Sequence, residues 1–521
     1  MPEPYDAVLI GAGVNTLAAA LHLAARGKRV AVFEQAAVPG GAVKSGAYTL
    51  PGFRNDWGAM NLSLFAGSGF FKEHGTELTK HGAAFVPTTR PFASSFPDGT
   101  WCGVSTDLEG TVARIAALSP KDAETWRTLA AAFPSEAPHL FGLLNSPMQF
   151  RALAYFMFKT LRAKGLAGTL DMGQFLLTSP RKWLTETFSS PQVQAMLGAW
   201  GLHLDFAPDI AGGALFPYLE GMAGQAFSMV IGQGGADTII TAMTSALKAR
   251  GQVVETGTKV ARILTEHGKA TGIELADGRV IPAKTVIAGV APSALPRLTG
   301  SLTPAFNAKM TTFDHAPGTM MIHLAMDALP DWKASPELKS FAYVHLAPSL
   351  DQMARTYAQA KAGLLPDEPI VVVGQPTVVD PSRAPPGKHV LWLQVRMAPG
   401  TINGDAKGEI TGRDWPSASG PFAARALDIL EAHAPGTKAK ILGQRIVTPL
   451  ELEADNPNLI GGDQVCGSHH LSQNFLFRPA RGHADGSTPI PNLHLTGASV
   501  WPGAGTGAGA GYLLARKLAG N

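Results

Sequence analysis

The sequence predicts an α/β protein with more than one domain, on three observations. Near its start, residues 7–33 have the order of a strand, a glycine turn, a helix and a second strand. Near its other end, residues 493–518 have the order of a strand, a glycine turn and a helix. A chain of 521 residues is also too long for a single hydrophobic core. We therefore expect one domain to be assembled from segments that lie far apart in the sequence.

The opening segment, "YDAVLIGAGVNTLAAALHLAARGKRVAVFEQ", predicts a Rossmann-type dinucleotide-binding unit. Its first strand, Ala7–Ile10, is a continuous apolar run, as expected of a strand that is buried on both faces. Gly11 and Gly13 permit a tight turn that brings the backbone against a pyrophosphate at the start of a helix near Val14. Glu34 follows Gly11 by 23 residues, where its carboxylate would accept hydrogen bonds from both hydroxyls of a ribose.

One position departs from the dinucleotide-binding pattern. Thr16 stands where the third glycine is usual, and a β-branched residue there should push the helix and the strand slightly apart. We expect binding to survive, since the third glycine serves packing more than phosphate contact. Gly40 and Gly41 follow the acid closely and form a second loop near the phosphates, which is typical of proteins that bind FAD rather than NAD.

With these two loops, the sequence resembles the FAD-dependent phytoene desaturase and amine oxidase superfamily. Within it, the chain is most similar to the carotenoid-ketolase-like and pyridine nucleotide-disulfide oxidoreductase domain-containing protein 2-like branch. The segments that carry this resemblance are "GAGVN" at 11–15, "DPSRAPPGKHVL" at 380–391, "FRP" at 477–479 and "IPNLHLTGASVWPGAG" at 490–505. The disulfide chemistry in the branch's name is not implied, because Cys102 and Cys466 are the only cysteines and lie far apart.

The resemblance implies that the two glycine turns form the two ends of one FAD site. In that superfamily the terminal segment packs back on the FAD domain, and the start of its helix points at the flavin. Residues 496–511 would then hold the flavin, residues 11–41 the pyrophosphate and ribose, and the backbone at Val260 the adenine. We expect FAD to be held noncovalently. The expected cofactor contacts are Gly11, Gly13, Val14, Asn15, Glu34, Gly40, Gly41, Val260, Gly497, Ala498, Pro502, Gly503, Gly505 and Thr506.

The expected fold class is therefore α/β, with a discontinuous Rossmann-type FAD-binding domain and a substrate domain of mixed sheet plus helices. The FAD-binding domain takes residues 1–70, 228–297 and 485–521, and the substrate domain takes 71–227 and 298–484. "HVLWLQVRMAP" and "TMMIHLAMDALP" alternate apolar and polar residues, which predicts half-buried strands. In relatives, such strands form a sheet that covers the flavin.

Candidate catalytic residues are few, because flavin chemistry asks little of side chains. His469 and His470 precede the last predicted strand by about twenty residues, and a histidine suits a proton acceptor near neutral pH. A structural role in hydrogen bonding is the alternative. Trp501 precedes the turn expected to face the flavin, where amine oxidases place an aromatic residue, although core packing explains it equally well. Cys466 and His469 have the spacing of metal ligands without further partners, so we expect no metal.

The segment "PMQFRALAYFMFKTLRAKG" at 147–165 predicts a helix with two distinct faces. At 100° per residue, one face carries Arg151, Tyr155, Lys159 and Arg162, and the opposite face Phe150, Leu153, Met157 and Leu161. No acidic residue occurs between Glu136 and Asp171. Such a helix fits contact with a membrane surface. It fits an ordinary surface helix or an oligomer contact as well, so the oligomeric state, a homodimer included, stays open.

Composition excludes some classes of function. A net charge of +3 over the whole chain gives no support to nucleic-acid binding. The first residues show no signal-peptide pattern and no apolar run is long enough to span a bilayer. We expect a cytoplasmic protein. If the helix at 147–165 contacts a membrane, the protein would attach peripherally to the inner membrane.

The leading hypothesis is an FAD-dependent dehydrogenase, desaturase or oxidase that removes hydride from a C–H bond of a small apolar, isoprenoid-like or lipid-like substrate. A flavin amine oxidase is the alternative within the same chemistry. From another class, an FAD-binding scaffold or a non-redox isomerase also fits. The sequence leaves the substrate and the electron acceptor open.

Overall fold

The structure is a computed structural model that describes residues 3–300 and 302–520. Its first sheet has five parallel strands, and these come from both ends and the middle of the chain. In spatial order the strands are Leu493–Leu495, Val286–Ala288, Ala7–Ile10, Val30–Phe33 and Val253–Glu255. The last strand of the sequence therefore stands two places from the first.

The two faces of this sheet are covered differently. Leu9 and Val32 face a layer of helices, whereas Val8 and Ala31 face a three-stranded antiparallel sheet. The helices are Val14–Ala25, Gly69–Lys80, Thr238–Ala249 and Gly509–Ala519. The strands of the small sheet are Val260–Glu266, Lys269–Leu275 and Val280–Pro282, and short helices at Leu295–Thr299 and Pro304–Thr311 lie beside it. Continuous burial of strand Ala7–Ile10 follows from this two-sided cover.

A second sheet of seven strands is mixed. In spatial order its strands are Ile441–Val447, Gly318–Met326, His389–Ala398, Ile370–Gly374, Tyr343–Leu346, Phe92–Ser95 and Trp101–Val104. The pair Tyr343–Leu346 and Phe92–Ser95 is parallel, and the other neighbours are antiparallel.

Helices cover both faces of the second sheet. One face packs against Trp415–His433. The helical layer on the other side contains Leu108–Ala116, Pro120–Leu144, Phe150–Leu177, Pro180–Thr187, Pro191–Gly198, Leu215–Phe227 and Leu350–Lys361. Shorter helices lie at Ser63–Ala66, Pro376–Val379 and Pro449–Asp455. Strand pairs outside the main sheets are Ser45–Gly46 with Asn55–Asp56, Phe85–Thr88 with Met229–Gly232, and Leu364–Leu365 with Gly404–Asp405.

The expectation of half-buried strands is wrong. Leu391, Leu393 and Val395 point at helix Trp415–His433 and are fully buried, at 0% exposure. The alternate residues Trp392, Gln394 and Arg396 point to the opposite side, but they are only 3%, 6% and 4% exposed. The alternation is real, and the polar face looks into the protein instead of toward solvent.

A buried ion network joins the second sheet to the loops around the first. The Arg383 guanidinium donates to Asp56 and Asp380 and to the carbonyl oxygen of Gly232. Arg383 and Asp56 have no exposed side-chain surface. Because three charges share one buried site with good geometry, this network fixes the hairpin 45–56 against both parts of the fold.

Candidate active site

The loops that follow the five parallel strands all lie at one edge of the sheet, because parallel strands share the same carboxyl-terminal edge. Gly11 follows the central strand, Glu34 follows its neighbour, and Gly497 follows the strand at one end of the sheet. The opening glycine turn and the turn at 497–507, here the terminal turn, therefore meet along one edge. This placement is the arrangement that one extended dinucleotide needs.

Gly13 leaves an open space at the start of the first helix. It caps helix Val14–Ala25 with φ −77° and ψ 169°, and a Cβ built on it would meet no atom of the described residues within 4 Å. Unpaired N–H groups at this helix end favour a phosphate. Gly40 lies beside the turn and donates its N–H to the Ala12 carbonyl oxygen at 2.9 Å. The residues present therefore fit a pyrophosphate.

Glu34 stabilises the glycine turn through hydrogen bonds to the protein backbone. Its two carboxylate oxygens accept hydrogen bonds from the N–H groups of Ala12 at 2.7 Å and Ala36 at 2.8 Å. Each oxygen keeps a second lone pair for a ribose hydroxyl. The Thr258 N–H donates to the Glu34 carbonyl oxygen at 2.7 Å, which brings the start of strand Val260–Glu266 to the same end of the site.

Gly289 compensates for the departure at Thr16. A Cβ on Gly289 would lie 2.2 Å from the Thr16 Oγ1 atom and 2.8 Å from the Ile10 carbonyl oxygen. Thr16 is only 2% exposed. The β-branched side chain that replaces the third glycine is thus accommodated by a glycine on the neighbouring loop, so the helix need not move away.

The terminal glycines serve two purposes. Gly497 has φ 121°, and a Cβ on it would meet nothing within 4 Å, so this part of the terminal turn is open to a ligand. Gly511 instead packs against the first helix, where a Cβ would lie 1.8 Å from the Asn15 carbonyl oxygen. Asn15 Oδ1 also accepts the Gly511 N–H at 3.2 Å. Asn15, expected as a cofactor contact, is thus used for helix–helix packing.

The middle of the terminal turn is braced by protein atoms. A Cβ on Gly503 would lie 2.4 Å from His469 Nε2. A Cβ on Gly505 would lie 2.7 Å from Leu64 Cδ1. Arg478 is fully buried and donates to the carbonyl oxygens of Ala498 and Ser468 at 2.7 Å each. Burial lowers the pKa of Arg478 to about 10. These contacts hold the loop before the last strand against the back of the terminal turn.

The two candidate histidines have different surroundings. His469 Nε2 accepts the Ala504 N–H at 3.0 Å, and burial together with the nearby Arg478 holds the pKa of His469 well below its usual range. His470 lies 3.2 Å from a carboxylate oxygen of Asp205 and 2.8 Å from its carbonyl oxygen. His469 is therefore a neutral support of the terminal turn, and His470 points toward Asp205.

Trp501 packs into the helical layer. Its indole N–H donates to the Ser146 carbonyl oxygen at 2.9 Å, and its ring stacks on Phe475 with centroids 5.1 Å apart. It belongs to the same buried cluster as Phe156 of helix Phe150–Leu177. The ring thus connects the terminal turn to that helix.

The inward face of the seven-stranded sheet carries many buried polar atoms without partners. We call it the chamber face, and define it by His323, Tyr343, His345, Trp392, Gln394 and Arg396. Within the described residues, the buried atoms on or beside it that lack hydrogen-bond partners are Trp57 Nε1, Trp200 Nε1, His203 Nε2, both ring nitrogens of His323 and His345, Trp392 Nε1, Gln394 Oε1 and Arg396 Nε. Buried polar groups are normally paired, so this concentration marks a place where a bound molecule or water belongs.

The chamber face and the terminal turn are neighbours, joined by contacts to the same residues. The Thr506 hydroxyl donates to the Asn61 carbonyl oxygen at 3.3 Å, and the phenol of Tyr343 also bonds to the backbone of Asn61. Gln394 donates to Gln464 at 2.7 Å, and Gln464 belongs to the loop that supports the terminal turn. A group held at the terminal turn would therefore lie next to the chamber face.

One further cluster of titratable groups lies on the other side of the first helix. His22 Nδ1 and His74 Nε2 are 3.1 Å apart, and Glu73 lies beside both. The two oxygens of Glu73 accept from Arg26 at 2.8 Å and from the Tyr512 hydroxyl at 2.5 Å. Burial lowers the pKa of His22 to about 4. These hydrogen bonds tie the first helix to the terminal helix.

Comparison with known proteins identifies the family. The model of the flavin containing amine oxidoreductase family matches residues 17–411. The chain belongs to this family. It is 29% identical to the pyridine nucleotide-disulfide oxidoreductase domain-containing protein 2 of Rattus norvegicus over 99% of this chain and 94% of the relative. It is 27% identical to the phytoene dehydrogenase of Streptomyces griseus, over 99% and 94%. The cyclohexylamine oxidase of Brevibacterium oxydans has the same fold, with a TM-score of 0.57 at 17% identity over 99% of both chains.

The protein is thus an FAD-dependent oxidoreductase of the amine oxidase and phytoene desaturase superfamily, as the sequence predicted. Its fold class is also confirmed. The individual cofactor contacts stay predictions, and the open spaces at Gly13 and Gly497 and the position of Glu34 fit them.

Sequence reasoning missed the polar residues of the chamber face, although a signal existed. Trp392, Gln394 and Arg396 stand at alternate positions of a single predicted strand. Glu220 was also missed. It is the only charged residue between Asp209 and Asp237, on a helix that is otherwise uncharged.

Proposed function

We propose that this flavoprotein is a dehydrogenase, desaturase or oxidase that acts on a largely apolar, isoprenoid-like or lipid-like substrate. Noncovalently held FAD would supply the acceptor for a hydride from a C–H bond of that substrate. One observation carries the proposal: the terminal turn, which we infer holds the flavin, adjoins the buried chamber face. The protein's own part is to hold the substrate there and to exclude water.

Aromatic rings favour an apolar substrate body. Tyr48, Trp57 and His323 lie in ring contact at one end of the chamber face, with centroids 4.9–5.9 Å apart. Trp200 and His345 make an edge contact at 5.0 Å toward the other end. The unpartnered ring nitrogens and the Arg396 guanidinium add polar positions between them. We infer a mostly apolar molecule that carries at least one hydrogen-bonding group.

Helix Phe150–Leu177 supports entry from a membrane surface. Gly165, with φ 69°, divides it into two pieces, and Phe156 packs with Trp501 on its inner side. Large apolar side chains on its outer side are exposed: Phe150 85%, Tyr155 64%, Met157 45%, Phe158 59%, Leu161 44%, Leu166 68%, Leu170 63% and Leu177 62%. Such a patch on one helix is more than a scattering of surface residues.

The charges around this patch favour an anionic bilayer. Arg151, Lys159 and Arg162 are exposed beside the apolar residues. A basic and apolar surface of this kind binds the headgroup region of anionic membranes. In the described part of the chain, no helix is long and apolar enough to cross a bilayer. We propose that the helix lies on a membrane surface, which would give the protein a peripheral location.

The reaction is tested by anaerobic mixing of FAD-loaded protein with limonene, phytoene and cyclohexylamine in detergent. Bleaching of the flavin absorbance by either hydrocarbon supports the proposal. Bleaching by the amine alone favours the amine oxidase alternative, and no bleaching by any of them contradicts the proposed activity. Precipitation in acid tests the mode of attachment, because noncovalent FAD leaves the protein pellet colourless.

Membrane contact is tested by co-flotation with vesicles. The wild type should float with vesicles of phosphatidylcholine and phosphatidylglycerol and less with phosphatidylcholine alone. The double variant Phe158→Ser, Leu166→Ser should not float with either kind of vesicle. Val280→Ser is the matched control, because Val280 is 54% exposed on the small antiparallel sheet. Equal flotation of wild type and double variant would show that this helix does not bind the membrane.

A further inference from the structure

Glu220 stands on helix Leu215–Phe227 at the side that faces the sheet. One turn later on this helix, a Cβ on Gly224 would lie 2.9 Å from Phe92 Cε1, so the helix side with residues 220 and 224 packs closely on strand Phe92–Ser95. Phe92 pairs with Tyr343 of the chamber face. The charge of the Glu220 carboxylate also raises the pKa of the Tyr343 phenol, so the two groups lie in the same region of the protein.

The Glu220 carboxylate has no hydrogen bond or ion pair with any residue in the described ranges. The residue is partly buried, and burial by the surrounding protein acts on its carboxylate. The same combination is found at His203 and Cys466. Burying an unpartnered carboxylate costs stability, so a carboxylate retained in such surroundings is a candidate functional residue.

The charged and titratable neighbours do not neutralise Glu220. Tyr343 approaches from the sheet, and the Asp56–Arg383 pair that also acts on Tyr343 is already an ion pair. On its own helix, Tyr218 has its pKa raised to about 12 by burial, so it is uncharged. Burial alone raises the pKa of Glu220 from its ordinary 4.5 to about 7.

We propose that Glu220 is the proton acceptor of the oxidation carried out at the chamber face. This inference rests on the proposed function. Oxidation to a double bond removes two hydrogens from neighbouring substrate atoms. The hydride leaves one carbon with the electron pair of its C–H bond and goes to the flavin. The second hydrogen leaves its carbon, nitrogen or oxygen as a proton to a Glu220 carboxylate oxygen, and the electron pair of that bond forms the new double bond.

Glu220 suits this role better than the two histidines. His469 Nε2 is occupied by the Ala504 N–H, and His470 is engaged with Asp205. Neither oxygen of Glu220 has a hydrogen-bond partner among the residues that the structure describes. An acceptor that titrates near neutral pH combines a useful ionised fraction with enough basicity to remove a proton. After the product leaves, the carboxyl group returns its proton to water.

The test compares Glu220→Gln with Glu186→Gln, a control at a surface position where the side chain is 62% exposed. In anaerobic stopped flow, with the compound that bleaches the wild-type flavin fastest, Glu220→Gln should reduce the rate of bleaching roughly 10²–10⁴-fold. The wild-type rate should rise as pH increases through about 7, and this rise should be absent in Glu220→Gln. FAD content and the visible spectrum should stay unchanged.

Equal rates and equal pH profiles in wild type and Glu220→Gln would overturn the inference while leaving the proposed function standing. A wild type that none of the compounds bleaches would overturn both. A second measurement needs no substrate. Because Glu220 is protonated in both folded and unfolded protein below about 4.5, the melting temperatures should agree near that pH. Between about 4.5 and 7 the unfolded state ionises first, so the wild type should lose stability relative to Glu220→Gln. A melting-temperature difference that does not grow from pH 5 to 8 would also overturn the inference.

Discussion

Replacing Gly13 by alanine should separate cofactor binding from folding. The added methyl group meets no protein atom within 4 Å, and the backbone at φ −77° and ψ 169° suits an L-residue. The apo protein should therefore be unchanged or more stable by about 0.4–1 kcal/mol, because alanine has fewer conformations in the unfolded chain. The same methyl group occupies the space where a pyrophosphate would approach the helix start.

The expected loss is that of one charge-assisted hydrogen bond to phosphate, about 1.5–3 kcal/mol, or a roughly 10- to 150-fold weaker FAD affinity. Thermal unfolding of apo protein and titration with FAD by flavin fluorescence measure the two effects separately. Gly511→Ala is the contrasting variant, since its Cβ would lie 1.8 Å from the Asn15 carbonyl oxygen. It should lower stability by about 1–3 kcal/mol through overpacking. An apo-stable Gly13→Ala protein with wild-type FAD affinity would refute the placement of the phosphates.

Other substitutions test the rest of the site. Glu34→Ala should weaken FAD binding and also lower the stability of apo protein by about 1.5–3 kcal/mol, because two backbone N–H groups lose a charged partner; titration and melting would show whether only one effect occurs. Gly505→Val should alter the visible spectrum and reduction potential of the flavin and lower stability, since φ is 112° and the Cβ would press on Leu64; a normal spectrum with normal potential would contradict a flavin at this turn. Arg383→Met should lower the free energy of unfolding in urea by about 3–5 kcal/mol, because the carboxylates of Asp56 and Asp380 stay buried without their cation. A smaller loss of stability would mean that water enters the network.

The sequence was enough to predict the local structure at the start of the chain. The strand, turn, helix and acid between Ala7 and Glu34 lie within one short segment, so their geometry is set by local spacing and backbone preference. Cofactor contact stays a prediction for the terminal glycines, and the structure adds a packing role that the sequence did not show. Gly497 is open to a ligand, but Gly511 is needed for contact with Asn15, which is 496 positions away in the chain. No sequence pattern near either residue predicts that contact.

The sequence also could not predict that a distant residue compensates for Thr16. Thr16 departs from the glycine pattern, and only the structure shows that Gly289 on a neighbouring loop makes room for it. Alternation in strand His389–Ala398 correctly predicted a strand with two unlike faces. It could not tell whether the polar face meets solvent or protein, because a period of two records only that the faces differ.

What the sequence by itself determined, then, is the family, the cofactor and the order of strands and helices in the segments 7–33 and 493–518, since these follow from short-range patterns of glycine, acid and apolar residues. What only the tertiary structure decided is the character of the chamber. Helices from 191–227 close over a sheet face made largely by residues 319–396, and this closure turns Trp392, Gln394, Arg396 and Glu220 from surface-like residues into enclosed ones. Enclosure removes water from these groups, and the removal of water is what leaves their polar atoms free to act on a substrate.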